Sequence, residues 1–184
     1  MKNQIQYCLF VAVILFSTFT TAVQAQNATT PPPRYKDVVV DNPNAEADMK
    51  VLADHTNAIV NGDLEKAKSL MSDKFMSYGP SPVDSSNAEK FITTWGKNYE
   101  TQMNRKVTFI TQTWKVLQGS YLGNWVSMWG NYTFTDKSTG KTVTFPFQLT
   151  SQIEGDKVKS TRIYFDNLYI LSQLGFKVTP PEKK

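Results

Sequence analysis

The pattern of apolar residues changes character twice along the chain. An unbroken apolar run fills residues 8–19. After a Pro-rich stretch, apolar residues recur at helical spacing. Met49, Leu52 and Ile59, with Thr56 between them, share one face of a helix over residues 45–60, which Asn61-Gly62 stops. Asp63 caps a second short helix that turns Leu64, Ala67, Leu70 and Met71 inward. A strand over residues 75–78 ends at Gly79-Pro80. A capping box from Ser86 to Glu89 opens a third helix, with Phe91, Ile92, Trp95 and Tyr99 on its inner face. Beyond Arg105 the period shortens to two. Four strands fit, over residues 105–117, 124–136, 141–154 and 157–167, with turns at Gly119, Gly140 and Gly155. A last helical turn over residues 168–174 is closed by Gly175.

Alternation assigns faces. In the third of these strands Val143, Phe145, Phe147, Leu149 and Ile153 lie on one side, and Thr142, Thr144, Gln148, Thr150 and Gln152 on the other. The first side is core. The two-residue turn Gly155-Asp156 pairs Glu154 with Lys157. Counting onward sets Leu149 opposite Arg162, Phe147 opposite Tyr164 and Phe145 opposite Asp166. A turn over residues 136–141 puts Phe134, Tyr132, Gly130, Met128 and Val126 on that same apolar side. Asp166 is therefore expected among Phe145, Tyr132 and Tyr164, with Arg162 two rungs away. Burial would raise its pKa and the arginine would lower it. The alternative is that Asp166 caps the helical turn at Leu168. Gly130 lacks a side chain at mid-strand, which leaves room for something to approach the sheet. Trp114, Val116, Trp125 and Trp129, with Ile110, fall on the opposite side. Such a patch marks an interaction surface, and a homodimer is expected. Alternatively, the arm over residues 31–40 folds back and covers the patch.

Composition narrows the class. Lys2, the apolar run and Val23-Gln24-Ala25 form the three parts of a cleavable signal peptide over residues 1–25. The run is too short for a membrane span, which needs roughly 20 apolar residues. Export to the periplasm or the medium is expected, with no membrane span after cleavage. Residues 26–44 are Pro-rich and read as a linker or a loosely docked arm. Residues 45–176 form one domain, and residues 177–184 a tail. The net charge of +4 comes from mixed charges without a dense basic run, so nucleic acid is not an expected partner. Cys8, the single cysteine, leaves with the signal, and His55 is the single histidine. A metal site needs several clustered ligands, so no metal and no cofactor are expected, and His55 reads as a structural residue.

Amphipathic helices followed by a long antiparallel sheet, with Tyr164-Phe165-Asp166 after the turn Glu154-Gly155-Asp156-Lys157, resemble the SnoaL-like branch of the nuclear transport factor 2 superfamily. Ketosteroid isomerases, polyketide cyclases and limonene-epoxide hydrolases belong to that superfamily. The resemblance covers residues 45–176. It implies an α+β, cystatin-like fold: a cone-shaped barrel of curved antiparallel sheet packed against N-terminal helices, with a pocket between them. In limonene-epoxide-hydrolase relatives the aspartate of a matching Tyr-Phe-Asp faces the pocket, and Asp166 maps onto it. Their Arg-x-Asp on a neighbouring strand has no counterpart among Ser127, Met128, Trp129, Gly130 and Asn131. Relatives often dimerise through the outer sheet face.

The expected function is to hold a small hydrophobic molecule in an apolar pocket containing Asp166, lined by Tyr78, Trp95, Tyr132, Phe145, Phe147, Arg162 and Tyr164. The alternative is a SnoaL-like enzyme, of isomerase, cyclase or hydrolase type, with Asp166 as general acid or base.

Overall fold

The structure is a computed structural model that describes residues 33–177 and Thr179. The expected signal peptide, the start of the Pro-rich arm and most of the tail lie outside the described residues. Residues from Tyr35 onward form one compact unit. No helix of the described residues is long and apolar enough to cross a membrane.

A single helical turn, α1 (Tyr35–Val38), leads into the short strand β1 (Val39–Val40). Helices α2 (Ala45–Asn61) and α3 (Leu64–Ser69) follow, then β2 (Met71–Tyr78), β3 (Ser85–Asn87) and α4 (Ala88–Thr101). The rest is β4 (Gln102–Val116), β5 (Gly123–Asp136), β6 (Thr142–Glu154), β7 (Lys157–Phe165) and α5 (Asn167–Leu174). The helices end where local chemistry stops them. Gly62 adopts φ 90° after α2, and its N–H donates to the carbonyls of Ala58 and Ile59. Asp63 caps α3 by accepting from the Lys66 N–H. The cap of α4 is Asn87, which accepts from the Lys90 N–H, and not the expected Ser86.

The strands form one open sheet in the order β1-β4-β5-β6-β7-β2-β3. All pairings are antiparallel except β2 with β7, which is parallel. The parallel pair arises because α4 and three long strands intervene between an early strand and its partner. Helices α2 and α4 cover the concave face. Leu52, Phe75, Met128, Val126, Val143 and Val158 are its most deeply buried side chains.

Two features decide what the sheet presents. A Cβ on Gly130 would sit 1.8 Å from the Thr108 carbonyl oxygen on β4. The missing side chain therefore makes room for the neighbouring strand's own backbone, not for a ligand. The second feature is a bulge in β7. Ile153 pairs with Val158 as counted, but Gln152 pairs with Ser160, so Lys159 is the extra residue. Every later side chain of β7 changes face. Leu149 pairs with Ile163 and Phe147 with Phe165, which corrects the expected partners Arg162 and Tyr164.

The described part of the arm is docked. Val39 and Val40 pair with Val116 and Lys115 at the sheet edge, while Tyr35 is exposed. Asn42 is buried, and its amide donates to the Asp48 carboxylate and to Thr113 Oγ1, both at 2.7 Å. Asn124 on β5 donates to the same Asp48 oxygen at 2.8 Å. Two amides thus satisfy a buried carboxylate and tie the arm, α2 and the sheet together.

Candidate functional site

Helix α4 lies across the concave face with its aromatic stripe turned toward the sheet. Those rings continue a ladder of contacts through the core. His55 stacks on Phe91 (centroids 6.1 Å), Phe91 meets Trp95 (6.4 Å), and Trp95 stands edge-on to Tyr132 (6.1 Å, 89°). Tyr132 then contacts Phe145 (5.7 Å), and Phe145 contacts Phe165 (5.6 Å). Of the expected ligand residues, Trp95, Tyr132, Phe145 and Phe147 are brought to this face, the last three buried and Trp95 half-buried.

The other expected site residues are elsewhere. The β7 bulge turns Arg162 and Tyr164 to the outer face, where Arg162 lies over the Tyr78 ring at 4.7 Å. Phe165 takes the inward place expected of Asp166. Asp166 is exposed, and its carboxylate accepts from the Tyr169 N–H at 2.8 Å as the cap of α5. The expected burial of Asp166 among Phe145, Tyr132 and Tyr164 is thereby corrected.

A pocket of about 230 Å³ opens where β2, β3 and the first half of α4 meet. Phe91, Thr94 and Trp95 form its back wall, and Ser77 lines it from β2. Asp84, Ser85, Ser86 and Lys90 form a polar rim. Lys90 donates to the Ser85 carbonyl at 3.1 Å, which closes one side of that rim. The arrangement sets an aromatic wall behind a mixed-charge mouth, as small-molecule sites do.

Behind that wall lies His55, buried between the rings of Phe75 and Phe91. Burial pushes its imidazole down from 6.5 to about 4, so it is neutral at physiological pH. Its Nε2 is buried and has no hydrogen-bond partner. Tyr132 is different. Burial raises its pKa, with the Arg105 charge opposing, and its hydroxyl donates to Gln102 Oε1 at 2.9 Å.

A larger hollow, about 490 Å³, lies at the other end of α4 beside Tyr99, Gln102, Arg105 and Lys137. Its cations are engaged by the fold. Arg105 donates to the carbonyls of Val60 and Gln102, both at 3.0 Å, and lies over the Tyr99 ring at 4.1 Å. Lys137 donates to the Tyr99 carbonyl at 2.6 Å, and the Tyr99 hydroxyl donates to the Ile59 carbonyl. These bonds neutralise the carbonyl-rich ends of α2 and α4.

Sequence reasoning placed Trp95 in the site but missed Ser77, Asp84 and Phe91 as its walls. Phe91 was legible as an inward residue of its helix. Ser77 and Asp84 carried no signal, because the β2–β3 hairpin brings them to α4 only in three dimensions.

Comparison with known proteins places this geometry. No protein-family model matches the sequence, and no curated protein matches it. Solved structures do match. A candidate polyketide cyclase of Xanthomonas campestris pv. campestris is similar at TM-score 0.60 and 8% identity, over 72% of this chain and 99% of its own. A protein with a ketosteroid isomerase-like fold from Catenulispora acidiphila, solved with trimethylamine, is similar at TM-score 0.55 and 13% identity, over 71% and 98%. An NTF2-like protein of Burkholderia xenovorans is similar at TM-score 0.52 and 17% identity, over 70% and 96%. The bulged, open sheet packed on its helices thus has the cone-shaped α+β fold of these ketosteroid isomerase-like and NTF2-like structures.

Proposed function

We propose that this protein binds a small, largely apolar molecule in the pocket between β2, β3 and α4. The observation that carries the reading is the junction of that pocket with the aromatic interior. Phe91 and Trp95 belong both to the pocket wall and to the ring ladder. A ligand there gains apolar burial from the rings and orientation from Ser77, Asp84 and Lys90. The similarity to a structure holding trimethylamine and to a candidate polyketide cyclase supports small-molecule binding as the role. Binding does not need Asp166, which caps α5. The enzymatic alternative would draw its acid or base from Asp84, the carboxylate that lines the pocket.

A screen of lipophilic compounds read by calorimetry tests the reading. Hits should lose affinity in Trp95→Ala and keep it in Asp166→Asn. Loss of affinity in Asp166→Asn alone would return the site to the end of β7.

Two further parts of the reading concern the whole chain. Residues 1–25 act as a signal that is removed on export. The N-terminal mass of protein recovered from the periplasm or medium tests this, and an intact Met1 refutes it. The outer sheet face pairs two copies. It carries Trp114 opposite Trp125 and Ile110 opposite Trp129, with Ile110 59% and Trp129 37% exposed. A tryptophan can bury up to roughly 250 Å², so two such faces approach the about 1,200 Å² of a stable interface. Light scattering should report a dimer that Trp129→Glu dissociates. A wild-type monomer at tens of micromolar would exclude it.

A further inference from the structure

We infer that Ser77 is the hydrogen-bonding anchor of the proposed pocket, and that the ligand it selects is an apolar ring carrying one inward hydroxyl. The inference rests on the pocket reading and adds the ligand's chemistry to it. The starting point is a row of hydroxyls on the concave face. Ser151 on β6 pairs with Thr161 on β7, and Thr161 pairs with Ser77 on β2. All three are buried. Alternation puts Ser77 on the face of Phe75, two residues earlier, whereas Tyr78 lies under Arg162 on the outer face. Burying a hydroxyl is costly unless something bonds to it. Ser151 donates to Thr161 Oγ1 at 3.0 Å, so the first two meet each other. Ser77 makes no side-chain hydrogen bond, although it is only 7% exposed.

Position separates Ser77 from the other unpartnered atoms of the core. His55 Nε2 and Ser72 Oγ are sealed, and neither residue lines a hollow beside α4. Ser77 lines the pocket, and its oxygen is not sealed. It therefore meets the ligand space without any side chain having to move. Phe91 and Trp95 border the same space. Thr94, the hydroxyl beside those rings, donates to the Lys90 carbonyl at 2.8 Å. Asp84 and Lys90 are exposed at the rim, where Lys90 donates to the Ser85 carbonyl. Ser77 is thus the polar group left over at the apolar, buried end.

The chemistry of that end selects the ligand. A serine hydroxyl carries one donor and two lone pairs, all unspent here. A ligand hydroxyl can meet it as donor or as acceptor, whereas a carbonyl could use only the serine's proton. A charged group is disfavoured inside, since it would lose its hydration beside Phe91 and Trp95 with only a neutral hydroxyl to replace it. The class is thus a phenol or another ring alcohol. Its hydroxyl points to Ser77, its ring packs on Phe91 and Trp95, and any charged group stays at the Asp84–Lys90 rim.

The probes are p-cresol and p-xylene, which match in size and differ by a hydroxyl in place of a methyl group. Binding is followed in the full chain by backbone amide shifts, and the ratio of the two affinities is compared between wild type and Ser77→Ala. The ratio should fall about fivefold in favour of p-xylene when the serine hydroxyl is removed. Urea denaturation supplies a readout that a structural role would move. Ser77→Ala should unfold at the wild-type midpoint, because no bond within the protein is lost. Thr161→Val should unfold earlier, because Ser151 loses its acceptor, and should keep the wild-type affinity ratio. An affinity ratio unchanged in Ser77→Ala would overturn the anchor and leave the pocket standing. If neither probe shifts the amides of Ser77, Ser85 and Thr94, both the anchor and the pocket fall.

Discussion

The two hollows flanking α4 differ in what lines them. At the helix's C-terminal end lies the larger space, and it is rich in charge. Yet Arg105 spends its donors on the Val60 and Gln102 carbonyls, and Lys137 spends one on Tyr99. The smaller pocket at the N-terminal half carries as many charged side chains, Asp84 and Lys90, and sets them before an aromatic wall of Phe91 and Trp95. Volume alone would choose the first. An aromatic wall behind a few polar groups chooses the second, because small-molecule sites combine apolar burial with sparse orienting contacts.

The largest effect expected to test this contrast is acid lability. His55 has a folded pKa of about 4 against 6.5 when unfolded. The unfolded chain then binds the extra proton between those values. Stability is full above pH 6.5 and falls as the pH drops toward 4, by up to roughly 3 kcal/mol. Urea denaturation across that window checks the sign, and His55→Leu should flatten the profile there. A wild-type profile that is flat from pH 7 to 4 would mean that the imidazole is not buried neutral.

The next effect belongs to the other hollow. Arg105→Met removes the charged donor from two carbonyls and the cation from the Tyr99 ring. A loss of about 2 kcal/mol is expected, given the solvent on one side of the guanidinium. Affinity for lipophilic hits should not change. If Arg105→Met instead abolished binding without unfolding, the roles of the two hollows would be exchanged.

Trp95→Ala should weaken the binding of lipophilic hits about tenfold, since one wall of the pocket is lost. Calorimetry reads this directly. The smallest effect lies outside both hollows. Asp166→Ala should cost about 1 kcal/mol by removing the cap of α5, and Asp166→Asn much less, because asparagine caps as well. Neither should alter the affinity for lipophilic hits.

Asp166 also shows how far one sequence carries a register. Strands and helices were legible because their periods are local. The β5–β6 hairpin placed Tyr132 beside Phe145, as alternation required. The β6–β7 hairpin was right for its first rungs, Glu154 with Lys157 and Ile153 with Val158. Then the extra Lys159 moved everything beyond it by one residue, and a one-residue slip exchanges the two faces of a strand. Lys159 looks like its neighbours in the alternating pattern, so nothing local announces the bulge. Asp166 kept its other reading, that of a cap, because capping depends only on the three residues that follow.

The sequence by itself determined the order of elements, the helix caps at Asp63, Gly62 and Gly175, and the two faces of β5 and β6. These follow from interactions among residues close in the chain or joined by a short turn. The tertiary structure alone decided which side chains meet in the pocket. Ser77 and Asp84 reach Trp95 only when the β2–β3 hairpin packs beside α4, and β2 gains its place by pairing in parallel with β7, the last strand of the chain. It also decided the state of His55. A helix position gives a histidine its direction, but only the rings of Phe75 and Phe91, brought from two other elements, remove its water and leave its nitrogen without a partner.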